Sequence, residues 1–454
     1  MSAKKQRFCI DLFAGCGGLS LGLEREGFIP LLVNELSDEA RETYLLNREE
    51  YAHLDGRRVD DPSNPFVWKD VKELREYIKS HLGDFTKKTK EQFDIDIGAG
   101  ELDVLVGGPP CQGYSGIGHR RSYAVEKKHV PSNHLYEDML YLIDSLRPKM
   151  FLFENVRGLL SARWESGKPK GGIWKDIRKE FITYLGEDYT MGWHLVRARE
   201  YGVPQNRPRV LMAGIRKDLG WEPFANTLDD DGLMIFDENH RAGGLIPKPC
   251  GNPPSPLELL GDLVDPLYKP GKSETAVYPR SAEIAEKGKP WTVQQKLRKH
   301  KKGRKVAEKG DKLAEHEYSR HKENIVKKFR YMIRTGGSIR PADQTKKFAQ
   351  RVLPRVWPKG EPTITATSLP DDYVHFHDPR ILTVREWARL QMFPDWYRFA
   401  GKRTTGGLRR AGNPLDNNFG REVPKYTQIG NAVPVALAEA VGKNFRKILE
   451  SLDE

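Results

Sequence analysis

The sequence predicts an α/β protein with a mostly parallel sheet and a second, smaller domain. Three observations support this class: short apolar runs end in glycine or acidic residues, helical patterns lie between them, and the middle of the chain changes in composition. With 454 residues, 38% of them hydrophobic, the chain is long enough for two or three domains. No apolar run approaches the length of a membrane span.

The charge balance indicates a polyanionic partner. The formal net charge is +12 and the pI is about 9.3. Lysine and arginine are dense in residues 291–351, whereas the first hundred residues are nearly balanced. A solvated basic surface is the ordinary alternative.

The start of the chain and its cysteines favour a reducing cytoplasm. Residues 1–7 are basic but lead into a strand pattern, not into the apolar core of a signal peptide. The four cysteines, Cys9, Cys16, Cys111 and Cys250, show no paired metal spacing and are too few for a disulfide framework.

The first strand pattern, residues 8–13, runs into a glycine-rich turn at 14–18 and a helical pattern that starts at Leu19. Glycines let a ligand approach the backbone and the helix N-terminus closely. A second strand pattern ends in Glu35, a position that commonly holds ribose hydroxyls. This Rossmann-like unit suits an NAD enzyme as well as an S-adenosylmethionine (AdoMet) enzyme, and such turns also occur without a ligand.

A second turn follows the strand pattern of residues 102–106. Gly107-Gly108-Pro109-Pro110 forces a sharp exit from the sheet, and Cys111 comes next. Open α/β sheets bind ligands at this edge, and the thiolate is the nucleophilic form of cysteine. Cys111 is therefore a candidate nucleophile, although a lone cysteine is usually a small buried hydrophobe.

Residues 115–133 are polar and basic and predict a functional lid or a disordered loop. A helical pattern covers 135–146, and the strand pattern of 150–153 ends in Glu154. A carboxylate there would lie on the same sheet edge as Cys111. A glutamate in a surface turn is the common alternative.

Two arginines, Arg207 and Arg209, follow a strand pattern at 193–199 and precede another at 210–215. In an extended segment they project to one face, where two cations suit a carbonyl oxygen and a carboxylate. A structural salt bridge is the alternative.

The character of the chain changes between residues 217 and 379, where prolines and charges are frequent and periodicity weakens. Residues 296–312 predict a partly ordered loop or a helix. Order returns at 380–395, where Thr383 and Glu386 predict a capping box. Residues 402–412 predict a flexible DNA-facing loop, and a helical pattern from 435 to 449 ends the chain.

Together these motifs resemble the DNA (cytosine-5)-methyltransferases, with the motifs in family order. The matching strings are Asp-Leu-Phe-Ala-Gly-Cys-Gly-Gly-Leu-Ser, Pro-Pro-Cys-Gln, Glu-Asn-Val and Gln-x-Arg-x-Arg, and the matching segments are 8–35, 102–115, 151–158, 203–215, 380–395 and 426–442. The resemblance implies a Rossmann-like AdoMet-dependent methyltransferase sheet with a smaller DNA target-recognition domain. It also implies AdoMet as the cofactor.

The resemblance implies catalytic roles for four residues. Cys111 would attack carbon-6 of a flipped-out cytosine, and Glu154 would bind ring nitrogen 3 and the amino group. Arg207 and Arg209 would fix the ring carbonyl and hold Glu154. The loop expected to close over the base contains Gln112, Tyr114 and Ser115.

The cofactor pocket is also implied residue by residue. Phe13 would stack on the adenine, Glu35 would hold the ribose, and Asp70 would accept from the adenine amino group. Asp70 has an alternative role as the N-cap of a helix that starts at Val71. The full expected set is Phe13, Gly15, Gly17, Gly18, Glu35, Asp70, Val71, Pro110, Asn431 and Ala432.

The family pattern also implies a domain plan and partners. Residues 1–216 would form the first part of the catalytic domain, 217–379 the recognition domain, 380–424 its remainder and a hinge, and 425–454 a segment that returns to the catalytic domain. The expected partners are double-stranded DNA and a cognate restriction endonuclease, with neither membrane nor metal. The expected setting is a bacterial or archaeal cytoplasm, associated with the nucleoid.

Three other functions stay open on sequence alone. A relative that methylates tRNA is disfavoured by the long segment 217–379. A catalytically silent DNA-binding regulator is disfavoured by the four residues above. An NAD oxidoreductase would use the same glycine turn.

Overall fold

A seven-stranded sheet lies at the centre of the molecule in the computed structural model, which describes residues 5–110, 134–164, 168–223, 228, 232–233, 241–271, 276–344, 350–365, 369–404 and 422–453. The strands are β1 (Arg7–Leu12), β2 (Phe28–Asn34), β3 (Val67–Trp68), β4 (Val104–Gly107), β5 (Met150–Val156), β6 (Tyr189–Arg197) and β7 (Pro208–Arg216). Their order is β3-β2-β1-β4-β5-β7-β6; β7 is antiparallel to both of its neighbours, β5 and β6, and the other pairs are parallel. The predicted α/β class is confirmed.

Helices flank this sheet and also occur in the later part of the described chain. They are α1 (Gly18–Arg25), α2 (Asp38–Leu46), α3 (Val71–Phe93), α4 (Leu135–Leu146), α5 (Gly172–Leu185), α6 (Pro256–Leu260), α7 (Val293–Arg298), α8 (Glu323–Arg334), α9 (Val384–Leu390), α10 (Lys425–Asn431) and α11 (Val435–Ser451). A small parallel pair joins β8 (Arg351–Val352) to β9 (Tyr373–Val374). The helix predicted at 135–146 forms over those same residues.

Apolar residues alternate along the central strands, so both faces of the sheet are covered. In β5, Phe151 and Phe153 join the apolar cluster formed with α3, α4 and α5, whereas Met150 and Leu152 join the cluster on the other face with α1 and α11. Successive side chains of a strand point to opposite faces. A sheet buried on both faces needs such continuous apolar runs, which is the pattern the sequence shows.

The end of the chain packs against its beginning. A Cβ built on Gly22 of α1 would lie 2.3 Å from the Cβ of Ala438 in α11, so the two helices touch at their backbones. Arg7 at the start of β1 is buried, and it donates to Asp103 at 2.9 Å and to the carbonyl oxygen of Leu449 at 3.0 Å. The last helix thus completes one of the two layers that cover the sheet.

A third apolar cluster, with contributions from α6, α7, α9 and α10, forms the core of the later part of the chain. The predicted capping box is confirmed: Thr383 accepts from the backbone of Glu386, whose side chain accepts from the backbone of Thr383. Arg389 of α9 is fully buried and pairs with Asp262 and Asp395, each at 2.6 Å. The attraction between these opposite charges offsets part of the free energy lost when they are removed from water.

Helix α8, in the later part of the chain, was among the helices that were not predicted. Helix α8 buries Val326, Phe329 and Met332, which are spaced by three residues and therefore share one face. Lys327, Lys328 and Arg330 lie between them, so the apolar pattern is interrupted when read along the sequence. Of the predicted helix or loop at 296–312, only the first residues belong to a helix, α7.

Candidate active site

The candidate site lies along the carboxyl ends of the parallel strands. β1 and β4 are neighbours, although they are not consecutive in the chain, and the strand order reverses between them. Open α/β sheets bind ligands at such a point. The glycine turn follows β1, the segment 107–110 leaves β4, and Glu154 lies near the end of β5.

A buried ion pair joins β5 to β7. Because β7 is antiparallel to β5, its first residues lie beside the end of β5, with Arg209 opposite Val156. This register places Arg209 diagonally across from Glu154 on the same face. Nε of Arg209 lies 2.6 Å from Oε1 of Glu154, and the two residues are 7% and 8% exposed. A buried carboxylate and its opposite charge are therefore paired at the sheet edge.

The segment that leaves β4 lies directly against this pair. A Cβ built on Gly108 would lie 2.8 Å from Oε2 of Glu154, and Nδ2 of Asn155 donates to the carbonyl oxygen of Pro109 at 3.2 Å. These contacts fix the backbone up to Pro110, which is half-buried. The sequence analysis did not single out Asn155 for this role, although it lies in the Glu-Asn-Val string.

Four predicted residues follow that segment without being described by the structure. Cys111, Gln112, Tyr114 and Ser115 lie outside the described residues, as does the predicted lid of residues 115–133. The structure therefore gives the position where their segment starts, beside Glu154, and no more.

Arg207 has different contacts from Arg209. Its Nη2 donates to the carbonyl oxygens of Gly430, at 2.6 Å, and of Ala432, at 3.3 Å. From the sequence, the two arginines were expected to bind the ring carbonyl and Glu154 together. In the structure the ion pair to Glu154 comes from Arg209, whereas these hydrogen bonds of Arg207 hold the main chain at the end of α10.

The glycine turn meets the end of β2 at one corner of the sheet. The backbone N–H of Gly15 donates to Oε2 of Glu35 at 2.8 Å, and that of Ser37 donates to Oε1 at 2.7 Å. Burial raises the pKa of the Glu35 carboxyl above its usual value. A Cβ built on Gly15 meets no described atom within 4 Å, so there is room for a ligand beside the turn. An oriented carboxylate next to open space suits a ribose, with Phe13 half-buried nearby in the same turn.

Asn34 connects three strand ends at this corner and was missed by the sequence analysis. Its Oδ1 accepts from the backbone of Phe13 at 3.3 Å, and its Nδ2 donates to the carbonyl oxygen of Lys69 at 3.0 Å. Its polarity at the end of an apolar run was the available indication. Asp70 takes its alternative role in the structure, as the N-cap of α3, where its Oδ1 accepts from the backbone of Lys72 at 2.9 Å. Its contact with a cofactor stays a prediction.

The segment after α10 closes the turn from the other side. A Cβ built on Gly18 would lie 2.3 Å from the carbonyl oxygen of Val433 and 3.4 Å from the Cβ of Ala432. A side chain at position 18 would therefore displace this backbone. Ala432 is buried, and Asn431 is exposed at the end of α10. The predicted cofactor residues at the two ends of the chain thus meet at Gly18.

A buried carboxylate lies behind the turn. Asp11 of β1 is 1% exposed and accepts a hydrogen bond from Ser20 of α1. Desolvation by burial raises the pKa of Asp11 to about 7. An aspartate in the unfolded chain has a pKa of about 3.9. The folded state therefore binds the proton more tightly, and the stability contributed by this group is lost as the pH rises from about 4 to about 7.

We predict that Asp11→Asn removes this dependence. Relative to the variant, the natural protein should lose up to about 1.4 kcal/mol of unfolding free energy per pH unit in that window. Urea unfolding at a series of pH values measures the difference. Asp55→Asn is the control, because hydrogen bonds from Arg57 lower the pKa of the half-buried Asp55 to about 2, outside the window. Parallel pH curves for the natural protein and Asp11→Asn would contradict the prediction.

The part of the chain that the structure describes lacks two further features. It contains no group of three or more histidine, cysteine, aspartate or glutamate residues that could hold a metal ion. None of its helices combines the length and the apolar character needed to cross a bilayer.

Comparisons with known proteins show what this chain is similar to. The model of a family described as C-5 cytosine-specific DNA methylase matches residues 8–74 and 65–447. Type II methyltransferase M.DdeI of Desulfomicrobium norvegicum is 28% identical over 460 residues, which cover 98% of this chain and 89% of that protein. Type II methyltransferase M.XorII of Xanthomonas oryzae pv. oryzae is 27% identical over 459 residues, which cover 98% and 86%.

A solved structure shares the fold. It is a prophage-encoded protein of E. coli, described as a DNA modification methyltransferase, with a TM-score of 0.61 and 22% identity. The match covers 98% of this chain and 100% of that one.

Proposed function

The chain belongs to the C-5 cytosine-specific DNA methylase family, and on this premise we propose that it transfers a methyl group from AdoMet to carbon-5 of a flipped-out cytosine in a specific duplex DNA sequence. One observation carries the proposal. The buried Glu154–Arg209 pair lies against the segment that leads to Cys111, on the same sheet edge as the open glycine turn.

Cys111 would start the reaction. Carbon-5 of cytosine is a poor nucleophile, and addition of a thiolate at carbon-6 converts the ring into an enamine that is nucleophilic at carbon-5. The thiolate is the reactive form of cysteine, and covalent catalysis of this kind divides one difficult step into two easier ones. A glycine–proline segment at the end of β4 would present the sulfur at the ligand-binding edge of the sheet.

Glu154 would stabilise the charge that develops in the ring. Its carboxylate would bind ring nitrogen 3 and the amino group as thiolate addition places negative charge on the base. Arg209, 2.6 Å from this carboxylate, would keep it oriented and would also face the ring carbonyl. Preorganised partners in a site that excludes water stabilise such charge without reorganising during the reaction.

AdoMet, when bound, supplies a methyl group on a positively charged sulfur. Residues of this chain would position it: Glu35 would accept from the ribose, Phe13 would contact the adenine, and the turn at Gly15 would approach the methionine portion. Arg207 would act indirectly, because its hydrogen bonds hold the segment of Gly430 that closes the pocket. After methyl transfer, carbon-5 releases its proton to solvent and the Cys111 sulfur leaves carbon-6.

The base has to leave the duplex for this chemistry. Flipping costs a few kcal/mol of stacking and pairing. As the family resemblance implies, the loop of residues 115–133 would close over the extruded base. Gln112, Tyr114 and Ser115 would take part in this closure. A closing loop would also exclude water from the enamine.

Residues 217–379 would form the recognition domain. On α8, Lys327, Arg330 and Arg334 are exposed and share one face, opposite the buried apolar residues. Lysine and arginine side chains of this kind bind phosphates, which positions the duplex without reading its sequence. Because two relatives are type II methyltransferases, we propose that the chain is the protective methylase of a restriction-modification system with a cognate endonuclease.

Methyl transfer from tritiated AdoMet tests this function. The purified chain should label duplex DNA and leave tRNA unlabelled, and sequencing of the methylated genome of an expressing host should find 5-methylcytosine in one sequence context. Resistance of that DNA to one endonuclease would support the protective role. Label in tRNA instead of DNA, or no label in either, would refute the proposal.

A further inference from the structure

We propose that Tyr397 and Arg48 are positioning residues for the cofactor, which hold the glycine turn from its buried side. Neither residue belongs to the predicted cofactor set. The inference rests on the proposed use of AdoMet by this chain, and it adds two side chains that would set the affinity for it.

The two side chains grip consecutive carbonyl groups of the turn. The hydroxyl of Tyr397 donates to the carbonyl oxygen of Cys16 at 2.6 Å, and Nη2 of Arg48 donates to that of Gly17 at 3.2 Å. Nη1 of Arg48 also donates to the hydroxyl of Tyr397 at 3.1 Å. The hydroxyl of Tyr397 and the guanidinium of Arg48 bind these carbonyl oxygens and also each other. Neither carbonyl group can therefore turn without breaking a buried hydrogen bond.

Gly17 shows how closely they press on the turn. Its φ of +83° lies in the left-handed region, and a Cβ built there would lie 2.7 Å from Nη1 of Arg48 and 2.8 Å from the hydroxyl oxygen of Tyr397. A Cβ would also lie 2.9 Å from Cδ2 of Tyr44. Real Cβ atoms do not tolerate such distances, so the backbone rests directly on these side chains. The shape of the turn is therefore set by what lies behind it.

Arg48 is itself fully held. It is 1% exposed, its Nε donates to Oε1 of Glu24 at 2.8 Å, and its guanidinium lies 3.7 Å from the ring centre of Tyr44. Nη1 also donates to the carbonyl oxygen of Tyr44 at 2.9 Å. These contacts fix the position of the guanidinium, because moving it would leave a buried charge unpaired.

Tyr397 reaches the turn from the far part of the chain. Nη2 of Arg385 in α9 donates to the carbonyl oxygen of Tyr397 at 2.7 Å, and Nη1 donates to that of Pro394 at 3.0 Å. The backbone of Asp395 donates to the carbonyl oxygen of Leu297 in α7 at 2.8 Å. The turn is thus connected, through one hydroxyl, to α9 and to α7, which lies within the proposed recognition domain.

Tyr397→Phe tests the proposal with the smallest change. Loss of this hydroxyl removes a buried hydrogen bond to Cys16, so the affinity for AdoMet measured by calorimetry should fall about tenfold. The KM for AdoMet should rise by the same factor, while kcat and the Kd for duplex DNA should stay near those of the natural protein. Arg48→Lys, which keeps the charge beside Glu24 but cannot donate in the same directions, should raise the KM in the same way.

Tyr189→Phe is the matched control. Tyr189 is 3% exposed, and its hydroxyl donates to the carbonyl oxygen of Pro148 at 2.7 Å, in β6 at the far edge of the sheet. It should lower the melting temperature as Tyr397→Phe does, yet leave the AdoMet affinity unchanged. Equal AdoMet affinities for Tyr397→Phe and the natural protein, or equal losses in both phenylalanine variants, would overturn the inference. A natural protein that does not bind AdoMet at all would overturn the proposed function as well.

Discussion

Cys111→Ser should reduce methyl transfer to less than about one thousandth of the natural rate, because a serine hydroxyl keeps its proton at neutral pH and is a far weaker nucleophile than a thiolate. Binding of duplex DNA and of AdoMet should remain, since neither depends on forming the bond to carbon-6. Tritium transfer measures the rate, and calorimetry measures the two affinities. Sustained turnover by the variant would refute the nucleophile role.

Duplex DNA with 5-fluorocytosine at the target makes the test sharper. After methyl transfer, carbon-5 carries fluorine where it would carry hydrogen, and fluorine cannot leave as a cation. Elimination is then blocked, so the natural protein should stay bound to the DNA on a denaturing gel. Cys111→Ser should give no such band, whereas Cys250→Ser, which removes an exposed thiol, should give it in full. A band from Cys111→Ser would place the covalent bond on another residue.

Glu154→Ala should lower kcat by about 100- to 1,000-fold, the usual cost of removing one preorganised group from a site where charge develops. The variant also removes the carboxylate that lies 2.6 Å from Nε of Arg209. The guanidinium of Arg209 would then no longer be held in position beside the cytosine ring. Single-turnover methylation measures the chemical step, and the KM for DNA should change far less than kcat.

Asp103→Asn is the control for lost stability. Asp103 is also buried, and it pairs with Arg7 and Lys149 at the opposite edge of the same sheet, where β4 begins. Its replacement should lower the free energy of unfolding without changing kcat. If both variants lose the same fraction of activity, the effect of Glu154→Ala is structural and the ring-stabilising role is wrong.

The central sheet and the candidate site at the ends of its strands could be predicted from the sequence, because the patterns that indicate them are local. Strand patterns that end in glycine or glutamate mark positions on one sheet edge, and the structure brings the Gly15 turn to Glu35 and the Gly108 segment to Glu154. The period of two along β5 fixes which face each residue takes, independently of the rest of the chain. Fold class and capping box were confirmed for this reason.

Long-range partners could not be predicted in this way. The different contacts of Arg207 and Arg209 depend on where α10 lies, and no pattern around position 207 contains that information. Arg48 and Tyr397 are similar cases, because each looks like an ordinary charged or aromatic residue until the two are brought together. Helix α8 was missed because its three buried residues are scattered among cations.

The packing of α11 against α1 also has a consequence for synthesis of the chain, because α1 is made long before the helix that covers it. Arg25 of α1 and Glu439 of α11, which form an ion pair in the folded chain, are 414 positions apart. At translation rates of about 5–20 residues per second, the ribosome needs roughly 20 to 80 s to bring the second within reach of the first. Throughout that interval Leu19 and Leu23 have no helix to cover them, so the nascent chain carries an apolar stripe that chaperones would recognise. The proposed AdoMet pocket is therefore complete only once Ala432 and α11 have been synthesised, so a shorter nascent chain would not bind the donor.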